Sequence, residues 1–150
     1  LRFVLAGAGP LEARVRQEVA RLGLGDRVVV AGHRRDPERL LALADLSLLT
    51  SEREGLPRVV VQSLAAGVPV LVNDLPGIAE VLRDGVNGRV LPARDAGAVV
   101  RDMVGLLRVP ERLERLRRGA VATDVSAWAL ERLGPETTAL YGEVRARAAA

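Results

Sequence analysis

The sequence lacks residue types on which whole classes of protein depend. Of its 150 residues none is cysteine and one is histidine, which excludes a disulfide framework and a thiolate metal site. The carboxylates are dispersed, so no metal-binding cluster is predicted. There is also no Gly-x-Ser-x-Gly elbow and no Gly-Lys-Ser/Thr phosphate loop, which disfavours α/β-hydrolases and P-loop nucleotidases.

Aromatic residues are nearly absent, with one Phe, one Tyr and one Trp. Bases of a nucleic acid would therefore have almost nothing on which to stack. All 22 basic residues are arginine, and they are interleaved with 19 acidic residues for a formal charge of +3. Because no basic block forms, a nucleic-acid partner is not predicted.

Long apolar runs are missing as well, so no membrane-spanning helix is predicted. The first residues show neither a cationic region nor a cleavage site of a targeting signal, and they are typical of a strand that enters a turn. The cytoplasm is the default location that these absences leave.

Short apolar segments alternate with segments of helical period, which predicts an α/β fold with a Rossmann-like, doubly wound parallel sheet. The predicted strands are 3–6, 28–31, 46–49, 68–72 and 89–91, and the intervening helices are 11–22, 37–44, 58–66 and 78–83. Three C-terminal helices follow at 96–107, 110–122 and 126–147, with Asp95 and Ser126 as N-caps. No linker divides the chain, so residues 1–150 are predicted to form one domain.

Gly7-Ala8-Gly9 follows the first strand and opens a helix, where a Rossmann fold brings phosphate to backbone N–H groups. The dinucleotide fingerprint departs at its third small residue, where Glu12 stands, and Asp26 precedes the second strand instead of following it. NAD binding is therefore disfavoured, and a tight strand-to-helix turn remains the alternative.

The segment around Glu54-Gly55-Leu56-Pro57 is the strongest candidate for a site. It lies between a strand ending near Leu49 and a helix starting at Pro57 or Arg58, at the sheet edge where ligands of open α/β folds bind. Gly55 permits close approach of the backbone, and the free N–H groups of the helix suit a diphosphate. A sugar could contact Glu54 while a ribose contacts Gln62, which shares a helix face with Val59.

This segment resembles the donor-site signature of the retaining family 4 glycosyltransferases, which is Ser-x-x-Glu-Gly-hydrophobic, a helix, and Ala-x-Gly-x-Pro-Val. The resemblance extends over nearly all of residues 1–142. It includes Gly7-x-Gly9-Pro10, Gly32, Ala44-Asp45, Pro76-Gly77-x-x-Glu80, Asp84-Gly85-x-Asn87-Gly88, Ser126-x-Trp128 and Leu140-Tyr141.

The resemblance implies the C-terminal, donor-binding half of a GT-B enzyme that uses a nucleoside-diphosphate sugar and no cofactor or metal. Glu54 would be the catalytic residue that contacts the transferred sugar, and Gln62 stands where the family has a second glutamate that holds the ribose. The other implied donor-binding residues are Gly55, Leu56, Pro57 and Val59 around the loop, Gly32 and His33 near the base, and Gly77 near the sugar or phosphates. For His33, a solvated loop position is the favoured alternative.

The chain opens directly on a strand, and we expect it to be a piece of a longer protein. The family brings an acceptor-binding N-terminal domain, and an Arg and a Lys for the diphosphate, from sequence that would precede Leu1. This piece alone is therefore expected to bind nucleotide weakly and to transfer nothing.

Three other interpretations stay open at this point. Gln62 would fit a nucleotide-sugar-binding module that has lost catalysis, and Gly7-x-Gly9 would fit the dinucleotide-binding domain of an oxidoreductase. The arginine-rich helix at 112–118 could contact an anionic membrane surface, placing the protein at the inner face of the membrane, but Glu111 and Glu114 favour a solvated face.

Overall fold

The computed structural model describes residues 1–92 and 95–148 and shows an α/β fold of parallel strands and helices. The strands are β1 Phe3–Ala6, β2 Val28–Gly32, β3 Ser47–Leu49, β4 Val70–Asn73 and β5 Gly88–Leu91. The helices are α1 Glu12–Arg21, α2 Pro37–Leu41, α3 Arg58–Ala65, α4 Ala96–Arg108, α5 Pro110–Val121 and α6 Leu130–Ala148. The predicted fold class and all five predicted strands are confirmed, with bounds shifted by one or two residues.

The strands pair in parallel but in two sheets. β1 pairs with β2, and β4 lies between β3 and β5. The strands expected in a single sheet thus form two separately hydrogen-bonded sheets. The sequence did not predict this division, because an apolar run identifies a strand but not its partner. The chain also forms two compact units, one of Leu1–Leu40 and one that begins at Leu41.

The core of the second unit surrounds β4, whose four residues are all buried. Side chains alternate across a strand, so Val70 and Val72 pack with Val60 and Leu64 of α3, while Leu71 joins a separate apolar cluster. That second cluster contains Leu91, Leu106 and Leu116. Burial on both faces explains why β4 is a continuous apolar run up to its last residue.

The helix predicted at 78–83 is only a 3₁₀ turn at Ile78–Glu80. The carboxamide of Asn87 accounts for the early end of this helix. It accepts from the N–H of Arg83 at 2.7 Å and donates to the carbonyl of Val81 at 3.1 Å. Both backbone groups are thereby withdrawn from helical pairing, so the prediction was wrong over 81–83.

The predicted helix at 126–147 is interrupted near its start. Ser126–Trp128 forms a 3₁₀ turn, and Ala129 is extended before α6 begins. Ser126 is not an N-cap, because it is the first residue of this turn. Asp124 accepts from the N–H of Ser126 at 2.9 Å, and this bond lowers the pKa of the Asp124 carboxyl.

Asp95 is confirmed as the N-cap of α4. Its carboxylate accepts from the N–H of Ala98 at 2.9 Å, and that backbone bond is the main reason that the pKa of Asp95 is lowered. Among the described residues, no helix combines the length and apolarity needed to cross a bilayer.

Two glycines in neighbouring helices test how closely the second unit is packed. A Cβ at Gly119 of α5 would overlap the Val86 carbonyl, whereas a Cβ at Gly105 of α4 would meet nothing within 4 Å. We expect Gly119→Ala to lower the free energy of unfolding by about 1–3 kcal/mol through overpacking. Urea denaturation followed by circular dichroism measures this change.

Gly105→Ala is the matched control. Alanine is the better helix former, so this variant should gain up to about 1 kcal/mol. Equal effects of the two substitutions would contradict the close approach of α5 to Val86.

Candidate functional site

The β3–α3 loop, residues 50–57, leaves the carboxyl end of β3. The last backbone pair of β3 and β4 is Leu49 with Val72, so the loop emerges beside the end of β4. Its tip at 52–55 is exposed, whereas Leu56 is half-buried against the apolar core and Pro57 is buried. Apolar contacts therefore anchor the C-terminal side of the exposed tip.

The N-terminus of α3 has no side-chain cap. Pro57 precedes the helix in an extended conformation, with φ −71° and ψ 115°, and its side chain makes no cap hydrogen bond. The Val60 N–H donates to the Pro57 carbonyl at 3.0 Å, which leaves the N–H groups of Arg58 and Val59 directed out of the helix. Free N–H groups at a helix N-terminus are suited to an anion, so anion binding at this end of α3 stays a prediction.

The start of the loop is held by a residue that the sequence analysis did not identify. Asn73, the last residue of β4, is 3% exposed. Its carboxamide donates to the carbonyl of Thr50 at 3.0 Å and to that of Ser51 at 3.2 Å. The only sequence signal was a polar residue closing the apolar run of β4, followed by Asp74.

Most of the predicted residues lie on this loop and its helix. Glu54 and Gly55 are exposed at the tip, Gln62 is exposed on α3, and Val59 is half-buried one turn before Gln62. Glu54 has no hydrogen-bond or ion-pair partner among the described residues. Its carboxylate is therefore available to a ligand, and Gln62 offers an amide for a ribose hydroxyl.

Gly77 lies after β4, as the β3–α3 loop lies after β3. Because the two strands are parallel neighbours, both segments leave the same edge of the sheet. Gly77 has a φ of +77°, which a glycine adopts without strain. The carboxylate of Glu80 lies 3.7 Å from the place where a Cβ of Gly77 would stand.

Gly32 and His33 belong to the first unit, at the end of β2. Gly32 has a φ of +63°, its carbonyl accepts from the Gly7 N–H at 2.7 Å, and His33 is exposed. A carboxylate oxygen of Glu12 lies 3.8 Å from the Cβ position of Gly32. Arg16 forms an ion pair with this carboxylate at 2.7 Å.

Within residues 1–92 and 95–148, no three His, Asp or Glu side chains form a group that could hold a metal ion. Two shallow grooves of the described chain contain none of the predicted site residues. One is lined by Asp45 and α5 residues that include Glu111, Glu114 and Arg117, and the other runs along α1.

Comparisons with known proteins agree on one family. The family model of the glycosyl transferases group 1 matches residues 1–122. A putative glycosyltransferase of Bacillus subtilis, EpsD, is 35% identical over 77% of the chain and 30% of its own length. The alpha-D-kanosaminyltransferase of Streptomyces kanamyceticus is 27% identical over 95% of the chain and 38% of its own length. The chain thus spans about a third of these relatives.

Solved structures extend the similarity to the fold. The crystal structure of Anabaena HepE with UDP has a TM-score of 0.76 and 25% identity, covering 92% of this chain and 41% of HepE. HepE with UDP-glucose gives a TM-score of 0.72 and 27% identity, covering 83% of this chain and 37% of HepE.

The isolation of Glu54 generates a prediction about stability. Since Glu54 is exposed and bonds to no other residue of the described ranges, Glu54→Ala should change the free energy of unfolding by less than about 0.5 kcal/mol. Chemical denaturation of the variant beside the wild type measures this difference. A loss well above that figure would mean that Glu54 supports the fold rather than a ligand.

Proposed function

The chain belongs to the group 1 glycosyl transferases, and from that membership we propose that it is the donor-binding half of a retaining, family 4 enzyme of the GT-B type. The observation that carries the proposal is that Glu54 is exposed, has no partner among the described residues, and lies just before the N-terminus of α3, where Pro57 makes no side-chain cap. The complexes of HepE with UDP and UDP-glucose support a nucleoside-diphosphate sugar as the ligand.

Each part of the site is assigned to one part of the donor. Glu54 orients the transferred sugar, and the N–H groups of Gly55 and Leu56 support oxygens of the sugar or the phosphates. Val59 and Gln62 hold the ribose, and Gly77 contacts the sugar or the phosphates. Pro57 sets the direction in which the loop enters α3.

The proposed reaction is a transfer with retention of configuration. The bond between the anomeric carbon and the diphosphate oxygen breaks, the oxygen of an acceptor hydroxyl bonds to that carbon on the same face, and the proton of the hydroxyl passes to the leaving diphosphate. The site acts by stabilising the negative charge that develops on the leaving diphosphate. The positive end of α3 supplies part of this stabilisation without a metal ion.

The acceptor domain and the basic pair for the diphosphate are proposed to come from a further part of the protein. Transfer needs a cleft that excludes water and aligns both substrates. We therefore expect this chain alone to show no turnover of UDP-glucose above buffer. Release of UDP, assayed by a coupled enzyme with common acceptor sugars, tests this expectation, and clear acceptor-dependent turnover would contradict it.

Nucleotide binding is the direct test of the donor site. In calorimetric titrations with UDP, GDP, ADP and NADH, we expect one nucleoside diphosphate to bind and NADH to stay silent. Gln62→Ala should weaken that binding about tenfold, which corresponds to one hydrogen bond of about 1.4 kcal/mol. Binding of NADH alone would instead favour the dinucleotide-binding domain of an oxidoreductase.

Gln62 also supports a second candidate, a nucleotide-sugar-binding module without catalysis, because an amide forms a weaker bond to a hydroxyl than a carboxylate does. Gln62→Glu should then raise donor affinity above that of the wild type. An unchanged affinity would argue against a ribose contact at this position.

A further inference from the structure

The second unit contains two buried asparagines that differ in one respect. Asn87 is 1% exposed, and its carboxamide is fully used. Its oxygen accepts from the N–H of Arg83, and its nitrogen donates to the Val81 carbonyl and to Thr123 Oγ1 at 2.9 Å. Asn87 therefore has the bonding expected of a purely structural side chain.

Asn73 is similarly buried, but only the nitrogen of its carboxamide has hydrogen-bond partners among the described residues. Its nitrogen donates to the carbonyls of Thr50 and Ser51, while its Oδ1 has no partner among the described residues. Leaving a buried acceptor unpaired is unfavourable. Among the described residues, the two donated bonds are therefore the hydrogen bonds that the Asn73 side chain makes.

Those two bonds join β4 to the loop at the point where the backbone ladder ends. The last paired residues are Leu49 and Val72, and Asn73 binds the next two carbonyls along the loop. Beyond Ser51 the chain is exposed as far as Gly55. The Asn73 carboxamide therefore attaches the start of the loop to the end of β4, three residues before Glu54.

We infer that Asn73 is a positioning residue that holds the β3–α3 loop so that Glu54 meets the sugar of the donor, an inference that rests on the proposed function. The proposed nucleotide contacts depend less on Asn73 than the sugar contact of Glu54 does. α3, which carries Val59 and Gln62, is anchored separately through Val60 and Leu64 in the core. Loss of Asn73 should thus weaken binding of the sugar more than binding of the nucleotide.

The test compares Asn73→Asp with Asn87→Asp, two isosteric changes that remove a buried amide donor. Both should lower the melting temperature. In calorimetric titrations of the chain, Asn73→Asp should lose about tenfold in affinity for UDP-glucose and keep its affinity for UDP within about twofold. Asn87→Asp should leave the ratio of the two affinities unchanged. Equal losses for both ligands in Asn73→Asp, or the same selective loss in Asn87→Asp, would overturn the inference.

A second measurement needs no ligand. Trypsin can cleave after Arg53 in the loop, and we expect this cleavage to be at least about fivefold faster in Asn73→Asp than in Asn87→Asp, because local opening governs proteolysis. Cleavage after Arg115 in α5 corrects for global unfolding in each variant. Equal loop cleavage in the two variants would overturn the inference. If the wild type binds neither UDP nor UDP-glucose, the proposed function fails. The cleavage rates then still decide whether Asn73 holds the β3–α3 loop.

Discussion

The parallel pairing of β3 with β4 is the constraint on which the rest of the site depends. Because the strands run in the same direction and stay in register to Leu49 and Val72, the segments that follow them must leave the same edge of the sheet. One segment is the loop that carries Glu54, and the other is the turn that carries Gly77. The burial of β4 on both faces stabilises this pairing, so a polar group at the end of β4 is attached to a buried strand.

Local sequence patterns predicted most of the fold, but parts of the helix predictions failed. Apolar runs such as 70–72 and the cap at Asp95 are local signals, and both were predicted correctly. The helix at 78–83 failed because Asn87, a residue outside the segment, takes its backbone groups. The terminal helix failed at its start because Ser126–Trp128 forms a 3₁₀ turn and Ala129 is extended. Periodicity cannot reveal a side chain that competes for backbone hydrogen bonds.

The candidate site also has features that local sequence predicts and one that it does not. The loop, its glycine and the uncapped helix end were predictable from Glu54-Gly55-Leu56-Pro57, since the chemistry and the turn lie in one short segment. Asn73 was not predictable, because its role depends on which strand lies beside β3, and apolar runs do not specify neighbours. The structure thus adds the side chain that joins the two strand ends, while Glu54 was already a candidate from the sequence.

A crystal structure of this chain with UDP-glucose would test the central claim most directly, namely that the β3–α3 loop and α3 form the donor site. The account predicts a hexose hydroxyl within about 3 Å of the Glu54 carboxylate, with the diphosphate facing the N-terminus of α3. A donor bound elsewhere, such as in the groove beside α5, with Glu54 still free in solvent, would contradict it.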